Sequence, residues 1–504
     1  MNNLLKMKKT LLLTIIGVLA FSSVKIDAQN VRRLTFDEVI KLSETQSPNA
    51  LIAKHRFRAS YWSYRTFLAQ YRPSLTLTGT TPDYSNALDK VYDANTGGYV
   101  YRATNTVSNL ASLSLSQNIG LTGGAISLNS DLTLFNDLAP KTGGITRSYI
   151  TSPVSIGLNQ PIFRYNALKW QKKTEPLRYD AAMKTYLGSI EDVHQSAVQS
   201  FFSLALAQIN TQIAKTNFLN ADTLWQMSQG RYNLGTIAED ELLQMQLSWL
   251  NTQTAQKQAD MNLRDREIRL KSFLGITSDS VKLELIIPTD IPSLQVSSKE
   301  VYDLAMANNS DIVTQQLAIL TAQASLAQAK GDKGFKATLT GSFGLRDQSS
   351  DFAQAYAVPS QTQRVRLGFT LPILDWGLGR GKVKMAQSSL ELAQVQADQA
   401  ITDFTQTLSL NVEMFNLQAS QVAIAAKSDT VGQKLYEVTK ARFMIGKIAI
   451  LDLNNADTRK DENRRAYVQA LQNYWNYFYT MRNLALFDFI ARKPLEANYD
   501  ELLK

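Results

Sequence analysis

Apolar and polar residues alternate along several short stretches of the chain. Strict alternation occurs at 75–78, 113–116, 126–129, 132–134 and 154–158, and again at 337–345 and 365–369. Aliphatic residues that alternate with Ser, Thr, Asn or Gly predict strands with one apolar and one hydrated face, which fits a soluble sandwich or a membrane barrel. Clusters of Asn, Asp and Gly predict loops at 83–109, 120–124, 136–146 and 346–363.

Elsewhere the pattern is helical and unusually long. Residues 167–230 contain a single proline, Pro176, and residues 378–441 contain none, so each predicts a helix of about 60 residues, roughly 90 Å long. Apolar residues recur every seven positions at Ile401, Leu408, Phe415 and Val422, which favours a left-handed supercoil. A further helix follows each of these, over 238–273 and 449–489, so the chain is predicted to form two long helical hairpins.

Shorter helices are predicted at 34–71 and 298–330. Thr35 offers an N-cap, with Asp37 and Glu38 in the first turn. Pro288 and Pro292 mark the connection before the second of these helices.

One pattern occurs twice along the chain. Residues 156–163 (IGLNQPIF) return as 367–374 (LGFTLPIL), and 231–237 (RYNLGTI) return as 442–448 (RFMIGKI), both 211 positions later. The short helices are instead 262 positions apart, so the first copy holds 51 additional residues, either another strand hairpin or a long external loop. Repeats are predicted over 29–285 and 286–504, the second with a C-terminal tail.

The N-terminus has the pattern of a secretory signal peptide, predicted over 1–28. Lys6, Lys8 and Lys9 precede an apolar run from Leu11 to Phe21. The chain has no cysteine, so it depends on neither disulfides nor a lipid attached to a thiol. Its net charge of +9 falls to +6 without residues 1–28, which carry four lysines and one aspartate. This mild excess fits a solvated surface better than nucleic-acid binding.

The sequence offers no set of catalytic residues and no cofactor site, so we predict that the protein is not an enzyme. His55 and His194 are the only histidines, and two distant histidines without cysteine cannot form a metal cluster. Residues 377–382 (GLGRGK) are one residue short of a phosphate-binding loop, and no Ser or Thr follows Lys382. Together with Pro161 and Pro372, Gly377 is therefore predicted to mark a strand-to-helix corner.

A duplicated chain with few strands and two long helices in each half resembles the outer-membrane efflux protein family, the TolC-like channel-tunnels. The strand–proline pairs at Pro161 and Pro372 and the turns at Gly235 and Gly446 carry this resemblance, which covers residues 34–490. It implies a mainly α fold with a β-barrel part: long antiparallel coiled-coil helices plus transmembrane β-strands. It also implies that a homotrimer completes the barrel in the outer membrane, in contact with lipid, and that the helices extend into the periplasm.

The function implied by the resemblance is passive export of small molecules to the exterior. The channel works with a periplasmic adaptor (membrane fusion) protein and an inner-membrane pump of RND or ABC type. Two alternatives remain at this point: the outer-membrane duct of a type I protein secretion system, and a secreted coiled-coil scaffold without a pore. The scaffold does not require alternating strands.

Candidate gate residues lie at the tips of the predicted hairpins. Glu241 and Asp452 are equivalent at the 211-residue spacing, and in a trimer either forms a ring of carboxylates that favours cations. Acids in a first helical turn also simply complement the helix dipole. The resemblance places Asp452 at a constricted periplasmic entrance. Ile448 stands where the best-known relative has a locking arginine, so the nearby candidates for that role are Arg442, Phe443 and Lys447.

The two turns themselves are the predicted docking surface for the adaptor. They present apolar residues on a loop, which is the expectation for a site that receives another protein. The residues concerned are Arg231, Leu234, Gly235, Thr236, Ile445 and Gly446.

Overall fold

A computed structural model describes residues 30–93, 96–138, 146–277, 281–445, 447–448 and 450–503. The predicted signal peptide, residues 1–28, lies outside these ranges. The chain forms two compact units. The first comprises residues up to Ala53, Ser189–Val301 and Leu410–Leu495, and the second comprises Lys54–Gly188, Tyr302–Ser409 and residues from Glu496 onward. Each unit takes segments from both predicted repeats, whose boundary at 285/286 stays a prediction.

Long helices account for most of the described chain. The helices are α1 Phe36–Gln46, α2 Pro48–Ala69, α3 Ala167–Asn233, α4 Glu239–Phe273, α5 Ser298–Asn308, α6 Ser310–Lys333, α7 Leu378–Met444, α8 Ile450–Ala485 and α9 Tyr499–Leu502. The two long hairpins, α3 with α4 and α7 with α8, are confirmed. None of the helices in the described ranges is both long and apolar enough to cross a membrane.

The strands form one large sheet and two small ones. They are β1 Asn30–Thr35, β2 Ser74–Asp93, β3 Gly98–Ile119, β4 Gly124–Asp137, β5 Thr146–Ile162, β6 Val281–Ile286, β7 Lys336–Ser349, β8 Ser360–Thr370, β9 Phe487–Asp488 and β10 Lys493–Pro494. The large sheet lies in the second unit, has the order β2-β3-β4-β5-β7-β8, and is antiparallel throughout. In the first unit β1 pairs with β6 in parallel, and β9 pairs with β10 in antiparallel orientation.

The two repeats agree element by element. The starts of α1, α2 and β2 lie 262 positions before those of α5, α6 and β7, and both ends of α3 lie 211 positions before those of α7. Of the four strands that the first repeat contributes to the large sheet, β3 and β4 have no counterpart in the second repeat. The 51 additional residues therefore contribute a strand hairpin to the sheet, which decides between the two alternatives.

Two details of the predicted elements are wrong. The helices expected at 34–71 and 298–330 are each broken, at Ser47 and Asn309, which are equivalent positions 262 residues apart. A side chain caps the second helix at each break: Ser47 Oγ accepts a hydrogen bond from Ala50 N at 3.1 Å, and Asn309 Oδ1 accepts one from Asp311 N at 2.7 Å. Short polar side chains compete for backbone groups, which is why they end a helix here.

The loop expected at 83–109 is also wrong. Residues 83–93 and 98–108 pair with one another in β2 and β3. Because β4 begins to pair with β3 only at Thr106, the part of this hairpin nearest its turn is a two-stranded ribbon. Its Asn, Asp and Gly residues favoured a loop, whereas continuous cross-strand pairing from the adjoining sheet keeps the ribbon in strand form.

Aromatic residues of α1, α3 and α8 fill the core of the first unit. Phe36 packs against Phe201 and Trp475, with ring centroids 5.4 and 4.8 Å apart. Tyr474 is fully buried, and its hydroxyl donates a hydrogen bond to Pro292 O at 2.7 Å. Burial raises the pKa of Tyr474 to about 12. The aromatic run at 474–479 therefore packs between helices, as its position on the last long helix predicted.

A charged cluster surrounds the buried His194 in the same unit. Its Nδ1 lies 3.3 Å from Glu191 Oε1, and its Nε2 lies 3.9 Å from Glu44 Oε2. Arg482 joins Glu191 at 3.0 Å and Asp488 at 3.1 Å. Burial opposes the charge on His194, but its interactions with Glu191 and Glu44 outweigh that effect and raise the pKa of His194. The cluster thus links α1, α3, α8 and β9.

Because the folded-state pKa of His194 is raised, protonation of this residue stabilises the fold. That contribution is complete below the ordinary histidine pKa of about 6.5 and is lost as the pH rises through the raised value. We expect the unfolding temperature of the wild type to fall as the pH rises from about 6 through the raised pKa of His194, and His194→Gln to reduce this dependence. Circular dichroism melts across this pH range measure both. The exposed His55 supplies the control, because His55→Gln should keep the wild-type slope; equal slopes for all three proteins would contradict the assignment.

Candidate functional site: the hairpin turns

The turn between α3 and α4 is closed by two backbone hydrogen bonds. Thr236 N donates to Arg231 O at 2.9 Å, and Gly235 N donates to Tyr232 O at 2.8 Å. Helices commonly end with this pair of bonds when the residue that donates the shorter-range bond adopts a left-handed conformation. Here that residue is Gly235, which has φ of +69°. No atom lies within 4 Å of the position of a Cβ at Gly235. The backbone conformation, and not a lack of space, therefore requires glycine here.

The turn between α7 and α8 repeats the same bond. Lys447 N donates to Arg442 O at 3.0 Å, and these residues lie 211 positions after Thr236 and Arg231. Gly446, one of the predicted docking residues, lies outside the described residues. The shared backbone bond shows that the repeated sequence builds the same helix end twice.

Charges at both turns match the ends of the helices that they join. Arg231 and Arg442 occupy the last turns of α3 and α7, where the helix dipole is negative. Glu241 and Asp452 occupy the first turns of α4 and α8, where it is positive. Both carboxylates are exposed, and within the described ranges neither makes a hydrogen bond or an ion pair. They are therefore free to act on solutes or on a neighbouring chain.

The predicted gate residues fall into two groups. Arg442, Phe443, Lys447 and Asp452 lie around the second turn, with Phe443 half-buried and the others exposed. Glu241 lies at the first turn, and among the described contacts none joins it to those four.

Large apolar side chains are exposed at both turns. Leu234 is 80% exposed at the first turn, and Ile445 and Leu451 are 65% and 66% exposed at the second. Apolar side chains that project from a tight turn in this way provide a surface for another protein.

The predicted corners lie at the opposite ends of the long helices. Pro161 is the second-last residue of β5 and pairs with Thr338, and Pro372 lies two residues after β8. Asp375 accepts hydrogen bonds from Gly379 N at 2.8 Å and Gly377 N at 3.0 Å. These bonds hold the pKa of Asp375 below its ordinary value. The glycine-rich segment is thus a corner closed by a carboxylate, and a carboxylate in this place would repel a phosphate.

Away from the turns, a polar cluster joins the two hairpins. Asn217 Nδ2 on α3 donates to Asp461 Oδ2 on α8 at 2.9 Å, and Asn220 Nδ2 donates to the hydroxyl of Tyr436 on α7 at 3.3 Å. Lys460 completes the cluster: its Nζ lies 3.3 Å from Asp461 and 4.1 Å from the centroid of the Tyr436 ring. A cavity of about 170 Å³ lies beside these residues, lined by all four helices.

Sequence reasoning did not find this cluster. Its members lie on three different helices, α3, α7 and α8, and each on its own is an ordinary polar residue. A usable signal was the pair Asn217 and Asn220, which share one face of α3 at a spacing of three. Lys460 is held charged, because its bonds to Asp457 and Asp461 outweigh burial and raise its pKa. Separation of the hairpins therefore requires these polar contacts to break or to be replaced by water.

Substitution of Gly235 tests the conformation of the first turn. Alanine at φ of +69° costs about 1–2 kcal/mol. We therefore expect Gly235→Ala to speed amide exchange at the α3–α4 turn by roughly 5- to 30-fold, measured by hydrogen–deuterium exchange and mass spectrometry. The matched control is Gly230→Ala, which is helical and has open space for a Cβ and should protect the turn slightly. Equal exchange in both variants would show that the turn does not depend on its glycine.

Comparison with known proteins agrees with this architecture. The sequence profile of the family described as outer membrane efflux protein matches residues 39–276 and 301–485. The Toxin and drug export protein A of Aggregatibacter actinomycetemcomitans is 20% identical over 427 residues, which cover 82% of this chain and 90% of that protein.

Solved structures of outer-membrane channels share the fold. The Campylobacter jejuni CmeC outer membrane channel superposes with a TM-score of 0.65 at 15% identity, covering 93% of this chain and 89% of that one. The outer membrane protein VceC of Vibrio cholerae gives a TM-score of 0.60 at 12% identity, covering 89% and 95%. The family match confirms the predicted resemblance and the prediction of a channel without enzymatic activity. The chain belongs to the outer membrane efflux protein family.

Proposed function

We propose that three copies of this chain form a passive duct that exports small molecules across the outer membrane. The duct works with a periplasmic adaptor protein and an inner-membrane pump of RND or ABC type. Family membership supports the transport role. The observation that supports assembly is a long row of exposed apolar side chains on α7.

This row has the spacing of a coiled-coil seam. Its members recur every seven residues in the first unit and are between 47% and 65% exposed: Leu410, Leu417, Ile424, Val431, Val438 and Ile445. On the same helix Phe415 and Val422, also seven apart, are buried. One seam of α7 is therefore filled by its own chain, and the other is empty in a single chain. An empty heptad seam of this length requires another helix.

A second exposed seam provides that helix. Leu247, Met261 and Ile268 on α4 are 60%, 66% and 62% exposed and fit the same seven-residue spacing, with Thr254 at the position between the first two. In the proposed trimer, α4 of one copy fills the seam on α7 of the next. Such packing around a threefold axis closes a tunnel of helices and leaves neither seam in water.

The gate lies at the turns of the hairpins. Each acid at the second turn occurs three times in a trimer, so Asp452 forms a ring of negative charge at the entrance. Arg442, Phe443 and Lys447 surround that ring, and Glu241 adds acids from the first turn. The adaptor docks on the exposed turns, at Leu234–Thr236 and Ile445–Lys447. Docking separates the hairpins, which opens the polar cluster of Asn217, Tyr436 and Asp461.

Conductance in planar lipid bilayers tests the channel and its gate together. We expect the wild type to form cation-preferring pores of low conductance. Asp452→Asn should loosen the proposed gate, so its pores should conduct more, and loss of the ring of charge should lower their cation-to-anion permeability ratio toward one. The control is Glu391→Gln, an exposed acid on α7 far along the helix from the turn, which should leave both quantities unchanged. Wild-type behaviour in Asp452→Asn would contradict the gate assignment, and no pores at all would contradict the channel.

Protein secretion is the second candidate function. It is favoured by the name of one relative, which describes export of both a toxin and drugs. Deletion of the gene separates the two functions. If small molecules are the cargo, the deletion strain becomes more susceptible to dyes and antibiotics while its secreted proteins do not change. Loss of one large secreted protein at unchanged susceptibility would favour the secretion duct instead.

A further inference from the structure

Five segments of the second unit lie at one end of the large sheet, where its strands meet the helices. The strands β2, β4 and β7 begin at this end, β3, β5 and β8 finish there, and α3 and α7 leave from it. If the sheet lies in the outer membrane, as the proposed function requires, this end lies at the membrane surface that faces the periplasm. The five segments, called here the corner belt, are residues 70–74, 119–124, 162–175, 328–338 and 371–385.

Hydrogen bonds join the first three segments of the corner belt. The Tyr71 hydroxyl donates to Leu168 O at 2.6 Å, which ties the end of α2 to the start of α3. Asn166 Nδ2 donates to Gly120 O at 3.1 Å, which ties the same helix start to the turn between β3 and β4. These segments are therefore held side by side although they are far apart in the sequence.

Aromatic rings join the other two segments to them. The ring centroid of Phe335 lies 6.0 Å from that of Phe163 and 5.9 Å from that of Phe369, at the end of β8. Phe369 shares a face of its strand with Leu367, because residues two apart in a strand point the same way, and both side chains are exposed. The aromatic group therefore continues an apolar face of the sheet into the belt.

Basic residues are concentrated in the corner belt. Its segments contain 11 lysines and arginines and three acids, a net charge of +8. Residues 29–504 carry +6 in all, so the remainder of that part of the chain has a net charge of −2. The mild basic excess of the composition thus comes from one strongly basic zone. The basic residues are Arg72, Arg164, Lys169, Lys172, Lys173, Lys330, Lys333, Lys336, Arg380, Lys382 and Lys384.

The three acids of the belt already have partners within the chain. Glu175 pairs with Arg178, Asp332 lies 3.6 Å from Lys336, and Asp375 accepts two backbone hydrogen bonds at its own corner. The other ten basic residues are exposed, and within the described ranges none of them forms an ion pair. Like charges gathered in one zone repel one another, so the belt suits a partner that supplies negative charge.

Large apolar side chains project beside these charges. Trp376 is 90% exposed and Phe163 is 72% exposed, and Leu121 and Ile373 are almost fully exposed. Phe163 and Trp376 have φ of +60° and +52°, a left-handed conformation that bulky residues rarely adopt. Strained residues of this kind cluster at sites that bind a partner. Exposed rings among lysines and arginines are typical of a surface that enters a membrane interface.

We propose that the corner belt binds anionic phospholipids of the leaflet that faces the periplasm. Its lysines and arginines contact the headgroup phosphates, and Phe163, Ile373 and Trp376 enter the boundary of the hydrocarbon. Any chain in a bilayer contacts lipid, but a zone of unpaired cations selects lipid by charge. Each lysine or arginine near an anionic surface strengthens binding about 5-fold. The belt therefore sets the depth of the chain in the membrane and makes that placement depend on anionic lipid.

Native mass spectrometry of the purified full-length protein in nonionic detergent tests this selection. With equal amounts of phosphatidylglycerol and phosphatidylcholine, the wild type should retain mainly phosphatidylglycerol. A variant with four belt lysines neutralised should bind phosphatidylglycerol at least about 5-fold more weakly and phosphatidylcholine equally well. A matched control neutralises four exposed lysines of α3 and α7 outside the belt and should behave as the wild type. The test variant carries Lys172→Gln, Lys173→Gln, Lys382→Gln and Lys384→Gln, and the control carries Lys215→Gln, Lys427→Gln, Lys434→Gln and Lys440→Gln.

Tryptophan fluorescence gives a second readout that leaves every charge in place. Bromine atoms on a lipid quench the fluorescence of a tryptophan that they touch. We expect Trp376→Phe to lower the fraction of the fluorescence that brominated phosphatidylglycerol quenches. The control is Trp225→Phe, near the far end of α3, which should not lower it.

Two results would overturn the proposal. One is equal retention of the two lipids by the wild type, which would show that another occupant, such as a neighbouring copy, covers the belt. The other is equal phosphatidylglycerol affinity in the test and control variants together with equal quenching in the two tryptophan variants. If the protein still forms pores in planar bilayers, either result leaves the proposed function intact. A wild type that forms no pores would overturn both.

Discussion

Unpaired backbone groups at the two edges of the large sheet are the constraint on which the rest of the molecule depends. A strand in water can leave one side unpaired, but a strand in a membrane cannot. The edges β2 and β8 are long, exposed and lie on a sheet whose apolar face is also exposed. A single copy of this chain therefore leaves both the hydrogen bonds and the apolar surface of its sheet incomplete. In the proposed trimer, neighbouring copies supply both.

The helices show the same incompleteness in another form. The exposed seam on α7 runs from Leu410 to Val438, and it lies on a helix whose other side is already packed. The exposed seams lie in the first unit and the open sheet edges lie in the second. A neighbouring copy of the chain could cover both. This agreement between a coiled-coil argument and a hydrogen-bond argument supports the proposed assembly of several copies.

The duplication explains which parts of the chain are free to change. The spacing of 211 residues holds over the whole of α3 and α7. This is expected if the two helices occupy equivalent places in the wall of the proposed tunnel. The insertion of β3 and β4 falls in the sheet instead. An added hairpin keeps the antiparallel order because it adds two strands. The sheet can therefore become wider without a change in the helices that follow it.

Much of the fold was predictable because its signals are local. The N-cap of α1 is one case: Thr35 Oγ1 accepts from Glu38 N at 3.3 Å, and Glu38 Oε2 accepts from Thr35 N at 2.8 Å. The turn at Gly235 is another. The ribbon at 83–108 was missed because its pairing depends on the neighbouring sheet. The cluster around Asp461 was missed because packing of the three helices α3, α7 and α8, and no motif, brings its members together.

The most direct test of the account is an electron cryomicroscopy map of the protein in lipid nanodiscs. The account predicts three copies around one axis, with strands β2 and β8 paired at both sheet edges and the seam of α7 covered by α4 of a neighbouring copy. A map in which one copy stands alone, with both sheet edges free and the seam of α7 uncovered, would contradict it.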